Sequence, residues 1–160
     1  MNSTQAPEIH VGIGEVKTGS SPQILKALLG SCVGIGFIVP THNTFALAHC
    51  LLAANPNPAS DAISARSVEQ AVPSLFKILN LTKWDAPLIQ AVIAGGASMN
   101  GESKYKILKV GEANIQEAFK QLEKFKVKII HQDIGLFHGR QLIMNCADGS
   151  YSVKELIWAP

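Results

Sequence analysis

Short apolar segments separated by turn-forming residues constrain the fold of this chain more than any other feature. Residues 24–29 and 33–39 are apolar and are divided by Gly30-Ser31-Cys32, and residues 40–43 have the composition of a turn. Residues 44–53 then predict a returning strand that pairs with 33–39 as a hairpin. Because the two strands are connected, a residue just before the first and a residue inside the second can meet in space.

The rest of the chain adds further short strands and two helical segments. Apolar residues at helical spacing predict one helix after a polar loop, with Asp61 or Ser64 as its cap and Pro73 kinking or splitting it, and a second helix over 112–126. Further strands are predicted at 9–16, 88–94, 127–132, 141–145 and 151–158. Helices and strands do not alternate regularly, so the pattern favours an α+β fold with helices packed on one side of a largely antiparallel sheet.

Length and composition suit one domain and exclude several classes of protein. A chain of 160 residues with 47% hydrophobic residues is expected to form a single domain over 1–160, with the polar residues 1–7 flexible. The net charge is only +2 and the basic residues are dispersed, which argues against nucleic-acid binding. Lys104, Lys106 and Lys109 form the densest basic group. Neither an apolar run of about 18 residues nor a secretory signal is evident, so we expect a cytoplasmic protein without membrane insertion.

The three cysteines are expected to be free thiols, because their number is odd and the chain shows no export signal. Cys50 follows His49 in a strand, so the two side chains should point to opposite faces, and Cys50 is interpreted as a small buried hydrophobe. Core or edge packing is the default for Cys146. A zinc site is not favoured, since no C-x-x-C pair is present, and we expect no metal and no cofactor.

Cys32 and His49 are the candidate catalytic residues. A thiol attacks carbonyl carbon as the thiolate, and at an ordinary pKa of about 8.5 only a few per cent is ionised at neutral pH. An imidazole beside the sulfur removes that limitation by accepting its proton. Gly30 and Ser31 are small and leave the sulfur accessible, and the backbone N–H groups of residues 31–33 are candidate donors to an oxyanion.

Three motifs resemble one known family. LGSCVGIGFIVP (29–40), FALAHCLLA (45–53) and VIAGGASM (92–99) are similar, in this order, to motifs of the CheD family of bacterial chemotaxis proteins, which are cysteine-dependent deamidases of receptor glutamines. The gap between Cys32 and His49 also agrees with the spacing in that family. The resemblance extends from about Ile9 to about Val153, nearly the whole chain.

The resemblance implies a fold, an activity and partners. The fold would be a layered α/β/β sandwich with two main helices, similar to the glutamine-deamidating domains of bacterial toxins. The activity would be conversion of glutamine to glutamate and ammonia in methyl-accepting chemotaxis receptors, through a thioester on Cys32 with His49 as the base. A CheC-type phosphatase is a further partner that the resemblance implies.

One departure from the family pattern leaves a second function open. The family carries a threonine six residues before the cysteine, where it is taken to orient the histidine, and this chain has Lys26 there. A charged lysine cannot accept a hydrogen bond from an imidazole N–H, although a backbone carbonyl or the hydroxyl of Thr18 or Ser21 is a possible substitute. The alternative to an active deamidase is therefore a catalytically weak or inactive CheD-like module that binds receptors or the phosphatase.

Two further motifs shape the expected site. The glycine-rich stretch 94–99 lacks the patterns of nucleotide-binding loops and resembles the family's own glycine motif, with a role in shaping the pocket. Residues 133–140 resemble another family motif, with Leu136 in the place of a second glycine. Arg140, which ends this motif, is interpreted as a surface or ion-pair residue.

Overall fold

A computed structural model describes residues 5–98 and 109–157 of the chain, which form two stacked sheets with two helices on one side. The elements, in chain order, are β1 Glu8–His10, β2 Val16–Gly19, β3 Ile24–Leu29, β4 Val33–Val39, β5 Thr44–Cys50, α1 Val68–Ile78, β6 Gln90–Gly95, α2 Val110–Lys124, β7 Lys128–Ile134, β8 Gly139–Asn145 and β9 Tyr151–Leu156. Short 3₁₀ helices cover Pro40–His42 and Lys83–Leu88.

The nine strands form a four-stranded sheet in the order β1-β3-β8-β9 and a five-stranded sheet in the order β2-β5-β4-β6-β7. Strand β1 runs parallel to β3 and β6 runs parallel to β7, and the other neighbouring pairs are antiparallel. The predicted α+β class and the layered α/β/β arrangement of a largely antiparallel structure are confirmed.

The core consists of two apolar layers, one on each face of the five-stranded sheet. Along β4 the side chains alternate, so that Val33, Ile35 and Phe37 pack in the layer beneath the helices. Gly34 and Gly36 face the four-stranded sheet instead, and the sulfur of Met144 fills the space that a side chain at position 36 would occupy. The glycines of this strand therefore let the two sheets approach closely.

Most element boundaries shift by a few residues from the sequence-based predictions, and three differences change the description of an element. The predicted first strand over 9–16 is two strands, β1 and β2, which belong to different sheets and are separated by a turn. The predicted last strand ends at Leu156, and position 158 lies outside the described residues. Helix α1 begins after Ser67, whose hydroxyl accepts the N–H of Gln70, so the expected caps were wrong.

Helix α1 also continues through Pro73, which was expected to kink or split it. Proline removes one helical hydrogen bond and crowds the preceding turn. The opposing effect is packing, because Val72, Leu75 and Phe76 on either side of Pro73 are buried against the sheet. At about 2 kcal/mol for each buried apolar side chain, this face outweighs the lost bond.

Candidate functional site

The β4–β5 hairpin places Cys32 and His49 on the same face of the five-stranded sheet. In its register Val33 is opposite Cys50 and Gly34 is opposite His49. Because side chains alternate along a strand, Cys32 shares the face of Gly34 and His49 and stands diagonally across from the imidazole. That face looks toward the four-stranded sheet. Cys50 lies on the other face, fully buried in the layer beneath the helices, as predicted.

The imidazole of His49 has one defined hydrogen bond. Its Nδ1 lies 2.8 Å from the carbonyl oxygen of Val11, in the turn between β1 and β2. A carbonyl only accepts, so the proton is on Nδ1 and the lone pair of the neutral ring is on Nε2. Nε2 is buried and has no hydrogen-bond partner within the described part of the chain. This arrangement leaves the ring nitrogen that can accept a proton available.

The side chain of Lys26 takes no part in orienting this ring. Its ammonium donates to Glu8 Oε1 at 2.8 Å, and it alternates with the inward-facing Leu25 and Ala27 of β3, so it lies on the outer face of the four-stranded sheet. Its backbone carbonyl instead accepts the N–H of Val11 at 2.8 Å. Position 26 is thus connected to the imidazole through the main chain.

Burial favours the neutral forms of both candidate residues. Cys32 is 7% exposed, and removal of its sulfur from water raises the pKa of the thiol, an effect that its own backbone N–H partly offsets. Burial lowers the pKa of His49, against the opposing effects of the Val11 carbonyl and the charge of Glu15. No hydrogen bond joins the thiol to Nε2. The resting pair is therefore a neutral thiol and a neutral imidazole, and not the charged pair of thiolate and imidazolium that the sequence led us to expect.

The cysteine turn, residues 30–32, is held by its carbonyl groups. The N–H of Ala97 donates to the carbonyl of Gly30 at 2.9 Å, and the N–H of Gly96 donates to the carbonyl of Cys32 at 2.8 Å. These two donors belong to the glycine-rich motif at the end of β6, and their hydrogen bonds bring that motif against the turn that carries Cys32. Its last residue, Met99, lies outside the described residues.

Within the described ranges, the backbone N–H groups of Ser31 and Cys32 donate to no other residue. The N–H of Cys32 points toward its own sulfur, where it lowers the thiol pKa. Backbone N–H groups beside the sulfur are candidate donors to the negative oxygen that forms when the sulfur attacks a substrate carbonyl. The oxyanion role expected for the main chain of residues 31–33 stays a prediction.

The motif at 133–140 is built around a buried arginine. Arg140 is 1% exposed, and its Nε donates to Asp133 Oδ1 at 2.7 Å while another nitrogen donates to the carbonyls of Gly135 and His138. The ion pair was expected, but a surface position was wrong. Leu136 adopts φ of 59°, the left-handed conformation that glycine adopts more readily.

Two residues with contacts at the site were missed. Val11 reaches His49 through a backbone atom, which leaves no side-chain signal in the sequence. Asn114, on α2, is fully buried and donates to the carbonyl of Ser31 at 3.0 Å. The helical spacing of the sequence does indicate that Asn114 is buried, because it stands four residues before Ala118 on the face of α2 that carries the apolar residues.

Other predicted groups lie away from this site or outside the structure. Cys146 is buried between the two sheets, as a core residue. Of the basic group, Lys104 and Lys106 lie outside the described residues, and Lys109 forms an ion pair with Glu112 at the start of α2. Across the parts of the chain that are described, no group of three or more His, Cys, Asp or Glu side chains suits a metal ion, and no helix is long and apolar enough to cross a bilayer.

The fold and the site define a layered α/β/β protein in which a buried cysteine and a buried histidine share the inner face of a hairpin. Residues 51–155 match the family model described as CheD chemotactic sensory transduction. Similar proteins extend the likeness to 92% or more of the chain, a span that includes positions 32 and 49. The chain belongs to the CheD family.

Three relatives show how close this likeness is. A probable chemoreceptor glutamine deamidase CheD 2 of Ruegeria sp. is 33% identical over 98% of this chain and 96% of its own length. Proteins with the name probable chemoreceptor glutamine deamidase CheD from Bdellovibrio bacteriovorus and Clostridium kluyveri are 35% and 34% identical, each over 93% of this chain and 95% and 93% of their own lengths. A solved Neisseria meningitidis structure of the DUF152 family superposes with a TM-score of 0.49 at 8% identity, covering 82% of this chain and 64% of that one.

Proposed function

We propose that this protein is a protein-glutamine deamidase that converts glutamine side chains of methyl-accepting chemotaxis receptors to glutamate and ammonia. Membership of the CheD family and the names of the relatives support this class of reaction. The observation that carries the proposal is the state of His49, whose Nδ1–H is bound to Val11 and whose buried Nε2 has no partner in the described chain, on the face that Cys32 shares.

In the first step the sulfur of Cys32 attacks the carboxamide carbon of a substrate glutamine. Because burial disfavours a separate thiolate, the thiol proton moves to Nε2 of His49 as the carbon–sulfur bond forms. Nε2 can take that proton because its neighbour Nδ1 already carries one. Hydrogen bonds between catalytic groups are often long before substrate binds, so the approach of thiol and ring completes in the complex.

The second step is collapse of the tetrahedral intermediate. The negative oxygen accepts hydrogen bonds from the N–H groups of Ser31 and Cys32 in the cysteine turn. The imidazolium of His49 returns its proton to the departing nitrogen, which leaves as ammonia. The carbon–nitrogen bond breaks and a thioester remains on Cys32.

The third step releases glutamate. Water attacks the thioester carbon while Nε2 of His49 accepts a proton from the water. The carbon–sulfur bond breaks, and the proton on the ring passes to the departing sulfur. The enzyme returns to the neutral thiol and imidazole, the pair that burial favours.

The site of action and the partners follow from the proposed substrate. We place the activity in the cytoplasm, on the signalling portion of the receptors. A CheC-type phosphatase that competes with the receptors for the surface around Cys32 would regulate the reaction. Substrate and regulator would then exclude one another, because both need access to the cysteine turn.

A CheD-like module that binds receptors without turnover is the second candidate function. The absence of a hydrogen bond between the thiol and Nε2 favours it, as does the burial that raises the pKa of Cys32. Such a module would retain the surface around the cysteine turn and lose only the chemistry. The two functions differ in one measurable product.

Incubation with a purified receptor cytoplasmic fragment, followed by mass spectrometry of receptor peptides, tests the proposal. We expect defined glutamines to become glutamates with the native chain and not with Cys32→Ala or His49→Gln. Cys50→Ala is the matched control, because that thiol is buried on the opposite face of the same sheet, and it should retain activity. Receptor binding by the native chain without conversion would contradict deamidation and favour the binding module.

A further inference from the structure

Helix α2 contributes one buried polar side chain to the cysteine turn. Asn114 has no exposed surface, and its Nδ2 donates to two backbone carbonyls, those of Ser31 and Leu51, each at 3.0 Å. Leu51 comes two residues after His49. A single amide group of α2 thus contacts the main chain beside both candidate catalytic residues.

This amide stands where the β4–β5 ladder ends. The last register pair is Val33 with Cys50. Beyond it, the N–H of Leu51 turns away to the carbonyl of Ala65, at 3.3 Å, and β5 separates from the chain that leads into the cysteine turn. The carbonyls of residues 31 and 51 therefore lie beyond the last hydrogen-bonded pair of the β4–β5 ladder. An amide nitrogen carries two hydrogens, so Asn114 can satisfy both carbonyls at once.

The position of Asn114 is fixed by its own helix. Gly111, one turn earlier in α2, lies so close to the glycine-rich motif that a side chain there would meet the carbonyl oxygens of Gly96 and Ala97, each at 2.5 Å. The same motif donates hydrogen bonds to the cysteine turn. Helix α2 therefore lies directly against the motif whose N–H groups donate to the cysteine turn, and a shift of the helix would disturb that packing.

Packing alone does not account for an asparagine at this position. Its Oδ1 is buried and has no hydrogen-bond partner in the described ranges. An unsatisfied buried oxygen destabilises a fold, and a leucine of similar size would avoid it. The side chain is useful here for its two donors and for what those donors hold in place.

We propose that Asn114 is a positioning residue for the deamidation reaction, an inference that rests on the proposed function. It holds the cysteine turn at a fixed distance from the end of β5. The sulfur of Cys32 is thereby kept facing His49, and the N–H groups of the turn are kept facing the bound carboxamide. Asn114 itself does not touch the substrate.

The test compares Asn114→Leu with Gln121→Leu. Gln121 is a matched control, because it is a buried amide on the same helix, and in the described part of the chain its nitrogen donates only to Glu117, within α2, at 2.8 Å. Two readouts are measured on folded protein: kcat and KM for a receptor fragment, and the rate at which iodoacetamide alkylates each of the three thiols, resolved by peptide mass spectrometry.

We expect Asn114→Leu to lower kcat at least about tenfold with KM changed less than about twofold, because orientation and not binding is lost. Alkylation of Cys32 should become about threefold faster or more as the turn loosens and its thiol meets water. Cys50 and Cys146, which are fully buried, should stay as protected as in the native chain. Gln121→Leu should change none of these values.

Two results would overturn the positioning role. One is a kcat for Asn114→Leu equal to that of Gln121→Leu. The other is a loss of activity accompanied by equal exposure of Cys50 and Cys146, which indicates general unfolding. If the native chain deamidates nothing, the proposed function fails, and selective alkylation of Cys32 in Asn114→Leu still reports whether Asn114 holds the turn.

Discussion

The ring of His49 is held in one tautomer by the backbone of Val11, and it is kept neutral by burial. Both properties suit a general base, because a ring that stays uncharged at mildly acidic pH can still accept the thiol proton. The same burial that raises the thiol pKa of Cys32 also shields the pair from bulk water. Reaction with a small alkylating agent should therefore be slow, even where the enzyme is active on its substrate.

Burial of His49 predicts a pH dependence of stability. Its folded-state pKa lies below the ordinary 6.5, so between those two values the unfolded chain binds a proton that the folded chain does not. The contribution is present above pH 6.5 and is lost as the pH falls toward the folded-state pKa. Urea unfolding from pH 7 to 5 should show this loss in the native chain and a smaller one in His49→Gln.

The titration of Glu8 and Glu15 does not obscure the comparison of the native chain with His49→Gln. Hydrogen bonds and ion pairs lower the pKa values of Glu8 and Glu15 below 4.5, so their effect on stability is lost in a more acidic window. Equal slopes for the native chain and His49→Gln above pH 5 would contradict a buried neutral imidazole.

Position 26 tests whether the side chain or the backbone orients the imidazole. The Lys26 ammonium pairs with Glu8 on the outer face, and only its carbonyl leads to His49, through Val11. Lys26→Thr, which introduces the residue that the resemblance implies at this position, should leave the deamidation rate within about twofold and change stability by less than about 1 kcal/mol. A gain of tenfold or more would show that a hydroxyl at position 26 is needed to orient the ring.

At the scale of elements, the site depends on the turn that follows β6. Gly95 has φ of 101°, and a side chain there would collide with the carbonyl oxygen of Cys32. Its absence allows the main chain of the glycine-rich motif to lie directly against the cysteine turn. The motif therefore supports the cysteine turn by close approach of two backbones.

A comparison of Gly95→Ala with Gly135→Ala separates the effect of the close contact with Cys32 on stability from the effect of backbone strain. Both glycines have positive φ, but a side chain at position 135 would meet nothing within 4 Å. Gly135→Ala should lower the free energy of unfolding by about 1 kcal/mol, the cost of the left-handed conformation alone. Gly95→Ala should lower it by about 3 kcal/mol or more, because the steric collision is added. Equal losses in denaturant unfolding would show that the contact with Cys32 is not tight.

The sequence predicted the elements of the hairpin well, and the contacts around it less well. Segments 33–39 and 44–53 carry their strand pattern locally, and the alternation of side chains was enough to separate His49 from Cys50. The acceptor for the imidazole and the amide of Asn114 arise from packing between distant elements. No local pattern records such contacts, and a backbone carbonyl leaves no trace in residue identity.

In the whole molecule, the two sheets are joined at the edge of the site by Arg140. This residue lies on β8 of the four-stranded sheet, and its partner Asp133 lies on β7 of the five-stranded sheet. The guanidinium also binds two carbonyls of the connecting loop. It is a tie between the layers, with a charge that burial makes costly to leave alone.

Removal of this tie should destabilise the whole fold. Arg140→Met leaves two carbonyls without their donor and Asp133 without its ion pair, and we expect it to lower the free energy of unfolding by about 2 kcal/mol. The midpoint of thermal unfolding should fall by roughly 5 °C. Asp133→Asn leaves the buried guanidinium without its counter-charge, so it should cost at least as much. A thermal scan in which Arg140→Met unfolds like the native chain would show that the layers do not need the tie.

The central claim is that Cys32 carries the substrate as a thioester, and trapping that adduct tests it most directly. Native protein is mixed with a receptor cytoplasmic fragment, quenched in acid, digested and mapped by mass spectrometry. We expect a receptor peptide joined to Cys32 through a glutamine carbonyl, released by hydroxylamine and absent with Cys32→Ala. Conversion of glutamines by Cys32→Ala at the native rate, or an adduct on another residue, would contradict it.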